Sequence, residues 1–404
     1  MSLDRLWLVP IAVGHLAIFF LVANVVHAFG HSERALAPVK LALAFGLMVV
    51  SAAIGWEAWN SPLVAWSRPA LGYAGVCLVM GLVVFPASTA YMHFRPRPGG
   101  IAGRVSVRDL AASHGFDALA GEGRYAWLLK LPGNQALRLN KVEWELTLPG
   151  LPHALDGLSV LHLSDLHLAP SYDRRFFEAV ADEAASWDSD LVLFTGDLVD
   201  EEEAVEWVVP ILSRVKGKLG SFAILGNHDL QHQPDRLRRL VKDAGFTDLE
   251  AGWATVTTGG KTVALGGTSY PWGQPLSIAE RPEADFRMLL SHCPDLFSWA
   301  ERVGFDLMLA GHNHGGQVRL PLVGAVFMPS KYSRRFDRGF FRKNGLTLHV
   351  SQGVAGKHPV RYGCPPEVSR MVLRSAEADR RDSRHNSAFR VFGHGQAVPG
   401  ETPR

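Results

Sequence analysis

The sequence predicts an α/β domain of layered sheets carried behind three long apolar helices, and two observations lead there. The first third of the chain holds three nearly uninterrupted apolar runs, 6–29, 41–56 and 70–92. Beyond residue 150, short apolar runs of strand type alternate with amphipathic helical stretches, and several of these runs stop just before a polar turn rich in Asp, His, Asn and Gly. With 404 residues the chain is long enough for a membrane module and one larger domain, and its 47% hydrophobic composition fits such a division.

A helix of about 20 residues crosses the hydrocarbon core of a bilayer. The first and third runs reach that length, whereas the second is marginal unless its flanks, out to 37 and 59, belong to it. A cleaved signal peptide would have a shorter apolar stretch, a more basic head than Arg5 alone, and no further apolar runs behind it. The alternative for all three is a buried helical domain. The division that follows is a transmembrane module over 1–93 (helices near 6–29, 37–59 and 70–92), a connector with a first edge strand over 94–150, a domain over 151–375 and a polar, disordered tail over 376–404. His15, Asn24 and His27 interrupt the first run and are expected to face other helices.

Basic residues set the expected orientation. Arg34 and Lys40 lie between the first two runs, and Arg95, Arg97, Arg104 and Arg108 follow the third, against Arg5 and Arg68 on the other side. This bias puts the domain in the cytoplasm and the amino terminus outside, and it inverts if the second run does not cross. Cys77, Cys293 and Cys364 are dispersed, which argues against a disulfide framework and suits a reducing compartment. A net charge of +2 gives no reason to expect a nucleic-acid partner, and the sequence is silent on oligomeric state.

Within the connector, Leu137, Leu139, Val142, Trp144 and Leu146 alternate as in an edge strand or hairpin. Strands follow over 158–163, 191–194, 222–225, 288–290 and 307–309, with a hairpin over 254–258 and 262–265 turned at Gly259-Gly260, and later strands over 346–351 and 368–373. Helical periodicity occupies 174–187, 202–215 and 234–244.

Five motifs stand at the ends of these runs: Asp165-Leu166-His167, Gly196-Asp197-Leu198-Val199-Asp200, Gly226-Asn227-His228-Asp229, Ser291-His292 and Gly311-His312-Asn313-His314. Each of the first four alone is a common turn, cap or ion pair, whereas Gly311-His312-Asn313-His314, two imidazoles among glycines, has little to contribute to packing. Together they gather carboxylate, imidazole and amide ligands at the carboxyl ends of strands, where active sites of α/β sheets are built. Such a donor set without thiolate suits two adjacent divalent ions, Mn most of all and Fe or Zn as alternatives, and a carboxylate bridging them builds a site for in-line attack on phosphorus.

The order and spacing of these motifs resemble the calcineurin-like metallophosphoesterases. The resemblance covers about 137–373 and implies a two-sheet β-sandwich flanked by helices. It makes Asp165, His167 and His314 ligands of one metal, Asn227, His292 and His312 ligands of the other, and Asp197 the bridge. It makes His228 the non-ligand histidine that stabilises the transition state and protonates the leaving oxygen, with Asp200 orienting it. The lesser alternative for Asp200, compatible with that role, is a helix N-cap before Glu201-Glu202-Glu203. Ser351-Gln352-Gly353-Val354, Pro359-Val360-Arg361 and Pro365-Pro366-Glu367 resemble the membrane-associated bacterial branch, whose substrates include phospholipid diesters and UDP-2,3-diacylglucosamine. Gly266-Gly267-Thr268-Ser269 departs from it, because relatives often carry an acidic residue there.

Lys331, Arg334, Arg335, Arg338, Arg342 and Lys343 alternate with Tyr332, Phe336, Phe340 and Phe341 just after the last motif. Such a loop either holds an anionic lipid headgroup, with Arg334, Arg335 and Arg338 as substrate-binding residues, or is a solvated basic face over core aromatics. The expectation is a multi-pass protein of the bacterial inner membrane, a dimetal hydrolase of a phosphodiester or pyrophosphate bond in a lipid-linked substrate. The alternatives are an enzyme for soluble nucleotides, or a sensor or scaffold with a vestigial metal site.

Overall fold

The computed structural model describes residues 6–28 and 33–376, with side chains described from Leu36 onward in the second helix. The tail beyond 376, Arg5 and the side chain of Arg34, which entered the expectations of disorder and orientation, lie outside the described residues.

Three helices, Leu8–His27, Glu33–Asn60 and Arg68–Phe94, are long and apolar enough to cross a membrane. The second has 28 residues, well beyond its apolar centre, and at 1.5 Å rise per residue it is about 42 Å long. The third contains a π-helical stretch, Met80–Val84, just before Pro86. Proline has no N–H to return to the carbonyl of Leu82, so the ladder is already broken there and a wider turn is inexpensive. The first and third helices touch through glycines: a β-carbon on Gly14 would collide with the Cys77 carbonyl, and one on Gly81 with that of Pro10.

His15 meets other helices, as expected, through Tyr73 Oη at 2.7 Å and Ser51 Oγ at 3.0 Å. Asn24 and His27 do not. They sit at the helix end that the domain closes over, where Asn24 bonds to Val326, Met328 and Ser333, and the His27 ring packs edge-on to Phe327.

In chain order the strands are β1 (Ile101–Asp109), β2 (Arg138–Leu148), β3 (Ser159–Leu163), β4 (Leu191–Phe194), β5 (Gly220–Ala223), β6 (Thr247–Asp248), β7 (Trp253–Thr258), β8 (Lys261–Thr268), β9 (Phe286–Ser291), β10 (Leu307–Ala310), β11 (Arg319–Leu320), β12 (Gly324–Ala325), β13 (Gly339–Lys343), β14 (Leu346–Val350) and β15 (Glu367–Ser375). They build one sheet of order β1-β2-β15-β3-β4-β5-β6 and another of order β13-β14-β10-β9-β8-β7, with β11 and β12 as a small separate pair. β3 to β6 are parallel, with β6 at one edge, as are β8 to β10 with β14; β15 joins β3 antiparallel and β2 parallel, and β1, β7 and β13 form antiparallel edges.

Why the apolar runs are continuous is plain from the packing. Val160, Leu191, Leu193, Met288, Leu290, Leu307 and Leu309 point into the core shared by both sheets. Their neighbours Leu161, Val192 and Phe194 point outward beneath the helix Arg174–Ala185, which contributes Phe176, Phe177 and Val180, while Leu289 and Met308 lie under the helix Phe297–Val303. A strand buried on both faces has no place for polar alternation. Truncating one such side chain, as in Leu193→Ala, costs roughly 2–5 kcal/mol.

Two expectations need correction. The 138–148 strand is interior, flanked by β15, and the edge is β1, drawn from the segment read as a connector. The 202–215 helix is instead a 3-10 turn, Glu202–Trp207, followed by a short helix, Val208–Leu212, because Pro210 is tolerated only within a first helical turn.

Candidate metal centre

Turns at the carboxyl ends of β3, β4, β5, β9 and β10 meet at one end of the sandwich. Backbone bonds hold them edge to edge: the Asp165 N–H donates to Gly196 O at 2.9 Å and the His167 N–H to Asp197 O at 3.0 Å. Across the two sheets, the His312 N–H donates to Asp165 Oδ1 at 3.0 Å. Asp165, His167, Asp197, His312 and His314 all have positive φ, between 45° and 67°. Each such residue costs on the order of 1–3 kcal/mol, tolerated where the surroundings over-determine it. Gly226 admits no side chain, because a β-carbon there would run into Asp197.

Seven side chains converge in two groups that share one member. In the first, His167 Nε2 lies 3.2 Å from His314 Nε2, 3.4 Å from Asp197 Oδ2 and 3.9 Å from Asp165 Oδ1. In the second, His292 Nε2 lies 3.3 Å from Asp197 Oδ2, 3.0 Å from Asn227 Oδ1 and 3.1 Å from His312 Nδ1. The carboxylate of Asp197 thus stands between them.

Whether cations fit here is decided by the outer ring nitrogens. His167 Nδ1 is held by Asp200 Oδ1 at 2.9 Å, His314 Nδ1 by Ala355 O at 3.1 Å, His292 Nδ1 by Thr195 O at 2.8 Å and His312 Nε2 by Pro329 O at 2.9 Å. All four partners are acceptors, so each outer nitrogen carries its proton there, and in the neutral ring the inner nitrogen turns a lone pair to the centre. Four converging lone pairs with two carboxylates make a cation site, and the structure has the His/Asp cluster of a dimetal centre.

The electrostatics divide the four rings: neighbouring carboxylates raise His167 and His292 against burial, whereas burial lowers His312 and His314. Burial pushes the Asp197 carboxyl up, but His292, His228 and His167 outweigh it and hold the group well below the usual carboxylate range. Burial, with His292 beside it, brings His312 down to about 3, and burial brings His314 down to about 3 despite Asp165. Burial alone would lower His292, yet Asp197 and Asp165 raise it to about 9.

His228 belongs to neither group. Its Nδ1 is 2.5 Å from Asp200 Oδ1, and its pKa is raised because Asp197 and Asp200 outweigh burial. One oxygen of Asp200 therefore serves both His167 and His228, while the N-cap position of the next helical turn falls to Glu201.

The sequence reading passed over several residues. Asp229 is fully buried and accepts N–H groups from Leu198, Val199 and Gly226, tying two ligand turns together; its place at the end of Gly226-Asn227-His228-Asp229 was the available signal. Trp272 lays its ring against His312 at 4.7 Å. Buried Arg361 donates to the carbonyls of Ala355, Gln352 and His314, so the 351–361 segment backs the His314 turn. Within Gly266-Gly267-Thr268-Ser269, the stretch where relatives often carry an acidic residue, the Ser269 hydroxyl donates to Glu250, which brings a carboxylate there from another part of the chain.

The three arginines singled out as substrate-binding separate. Arg334 is buried between the domain and the third helix, bonded to Val323 O and Thr89 Oγ1 and stacked on Phe85. Arg338 turns inward to Gln352 Oε1 at 2.6 Å. Arg335 is exposed, lies over Phe336, and lines a cleft of about 460 Å³ with Leu21, Tyr91, Met92 and Tyr332.

Comparison with known proteins follows the same lines. Residues 158–316 match the calcineurin-like phosphoesterase family. The phosphodiesterase YaeI of Escherichia coli is 29% identical over 220 residues, 53% of this chain and 81% of that protein. The uncharacterized metallophosphoesterase YkuE of Bacillus subtilis is 27% identical over 239 residues, 56% and 82% of the two chains. The UDP-2,3-diacylglucosamine pyrophosphatase LpxG of Chlamydia trachomatis is 25% identical over 309 residues, 61% and 92%. Polar turns in family order, on a two-sheet α/β core, within the matched span: over residues 158–316 the chain carries a calcineurin-like metallophosphoesterase domain, the domain of a hydrolase.

Proposed function

We propose that this protein is a membrane-anchored dimetal phosphoesterase that hydrolyses a phosphodiester or pyrophosphate bond in a lipid-linked substrate, with its domain on the cytoplasmic face of a bacterial inner membrane. Asp165, His167 and His314 would hold one cation, Asn227, His292 and His312 the other, and Asp197 both; a donor set of oxygen and nitrogen without thiolate suits manganese, with iron or zinc as alternatives. Cations there would polarise the phosphoryl oxygens and lower the pKa of the attacking water. His228, held protonated by Asp200 and Asp197, donates its proton to the leaving oxygen, and Asp200 aims the ring.

One observation carries the lipid reading. The ends of the first and third apolar helices close on the segment 323–335, whose Pro329 carbonyl holds His312; if those helices cross a bilayer, the metal turns would stand beside its plane. Both helix ends, near Asn24 and Thr89, also lie on the domain's side of the bundle, as two intervening crossings require. Arg335 and Tyr332 offer a charge and a ring at that level, the pairing an anionic headgroup meets at an interface. The relatives named for a phosphodiesterase and for a UDP-2,3-diacylglucosamine pyrophosphatase bracket the bond type.

The test is turnover by detergent-solubilised full-length protein with manganese, using extracted phospholipids, UDP-2,3-diacylglucosamine and a soluble diester. Asp197→Asn should abolish hydrolysis of all three, since an amide cannot neutralise two cations. Near wild-type turnover in that variant refutes the bridging role. Preference for nucleotides over every lipid refutes the lipid reading.

A further inference from the structure

Asn24 is the least expected residue of the first apolar helix: it is 1% exposed, and the polar partners of its side chain among the described residues are in the domain. Its Nδ2 donates to Ser333 Oγ at 2.9 Å and to Val326 O at 3.3 Å, and its Oδ1 accepts the Met328 N–H at 2.9 Å. These three bonds span 326–333. From the other side the same segment is pinned by Asp295, whose carboxylate accepts Ser330 Oγ at 2.5 Å and the Lys331 N–H at 2.9 Å. Asp295 itself follows His292 by three residues. Between the two clamps lies Pro329, whose carbonyl takes the proton of His312 Nε2 at 2.9 Å and thereby keeps Nδ1 turned toward His292.

We propose that Asn24 is a positioning residue for His312: through the 326–333 segment a membrane helix aims one ligand of the Asp197–Asn227–His292–His312 site, so loading of that site depends on the helix being docked. This rests on the dimetal reading above. An unpaired amide within an apolar helix is costly, and the three bonds to the domain offset that cost only while helix and domain are apposed. The partner that fixes the outer nitrogen of a ligating histidine commonly governs metal affinity by 10–100-fold. Among the described residues the ring nitrogens of the other site have no such link, since His314 and His167 are held by Ala355 and Asp200 within the domain, and the His312 backbone N–H, not its ring, meets Asp165.

The experiment uses full-length protein in nanodiscs, stripped of metal and titrated with Mn²⁺, free Mn²⁺ being read by electron paramagnetic resonance. Wild type should take up two ions. Asn24→Leu, close in volume, should weaken one of them about tenfold or more and leave the other unchanged. In a His314→Ala background, which removes the other site, the same loss should remain visible. Asp295→Asn, which loosens the far clamp without touching the helix, should weaken the same ion. His15→Phe, which disturbs only contacts among the helices, should weaken neither. Two unchanged affinities in Asn24→Leu, or equal loss at both sites, would overturn the proposal. Uptake of fewer than two ions by wild type would overturn the dimetal reading itself, and this inference with it.

Discussion

Replacing Arg335 alone with Ser should separate recognition of a membrane substrate from the integrity of the site. Arg335 is exposed, has one face on Phe336, and borders the cleft beneath the ends of the first and third helices. A basic side chain at an anionic surface contributes about 1 kcal/mol, which at 1.4 kcal/mol per tenfold is roughly a fivefold rise in KM for an anionic lipid substrate. Because a Debye length is about 10 Å at 0.1 M salt, the effect should shrink as salt is raised. A small soluble diester, which does not need the cleft, should be hydrolysed at the wild-type rate. Arg334→Ser should behave otherwise: its guanidinium joins Val323 and Thr89 across the boundary between helix and domain, each bond to a charged donor contributing about 1.5–3 kcal/mol, so both substrates and thermal stability should suffer. The assay is KM on liposomes of graded anionic lipid content beside KM for the soluble diester. Equal loss on both substrates in Arg335→Ser would refute the assignment of its charge to the membrane surface.

Three further outcomes are expected. His228→Ala should keep both metals by elemental analysis while turnover falls roughly a hundredfold, the usual scale for a general acid; loss of metal would make His228 a ligand. The pair His162 and His349, joined Nδ1 to Nδ1 at 2.9 Å, is buried and held neutral, His162 brought down by burial to about 3 and His349 well below its ordinary value. The unfolded chain binds these protons near pH 6.5 and the folded chain does not, so stability is full above that pH and falls as the pH drops toward 3. From pH 6.5 to 4.5 this is about 2 kcal/mol from His162 alone, and a His162→Asn/His349→Phe variant should show a flatter denaturation profile over that window. Finally, a reporter fused after Leu373 should be active in the cytoplasmic form and silent in the periplasmic one; the reverse would move the enzyme outside.

That these turns would converge was legible because their chemistry is local: Asp, His and Asn beside Gly at strand ends carry their meaning in a few residues. Continuous apolar runs placed the central strands within a residue or two for the same reason. What could not be read depends on partners far away in sequence. β1 is mostly exposed and mixes Gly, Arg and Ser, so nothing in it declares a strand until β2 lies beside it. Arg334 and Arg335 are adjacent, chemically identical and both border the cleft, yet one is buried against Phe85 and the other is exposed, a difference set by a helix over 240 residues earlier. Asn24 looked like an inter-helix contact, because its partners near 326–333 carry no feature that advertises them.

The positive φ of Asp165, Asp197, His167, His312 and His314 has a consequence for which substitutions these turns accept. Asn, Asp and His are the side chains other than glycine that most readily enter the left-handed region. The residue types able to bind a cation and those able to adopt the required backbone therefore overlap in a very short alphabet. Glutamate carries the same charge as aspartate but lacks its ease in that region, so a swap that looks conservative to a chemist is not conservative to the chain. Variation at these five positions is filtered twice, and a shape requirement, rather than charge alone, keeps the vocabulary of the site to two letters.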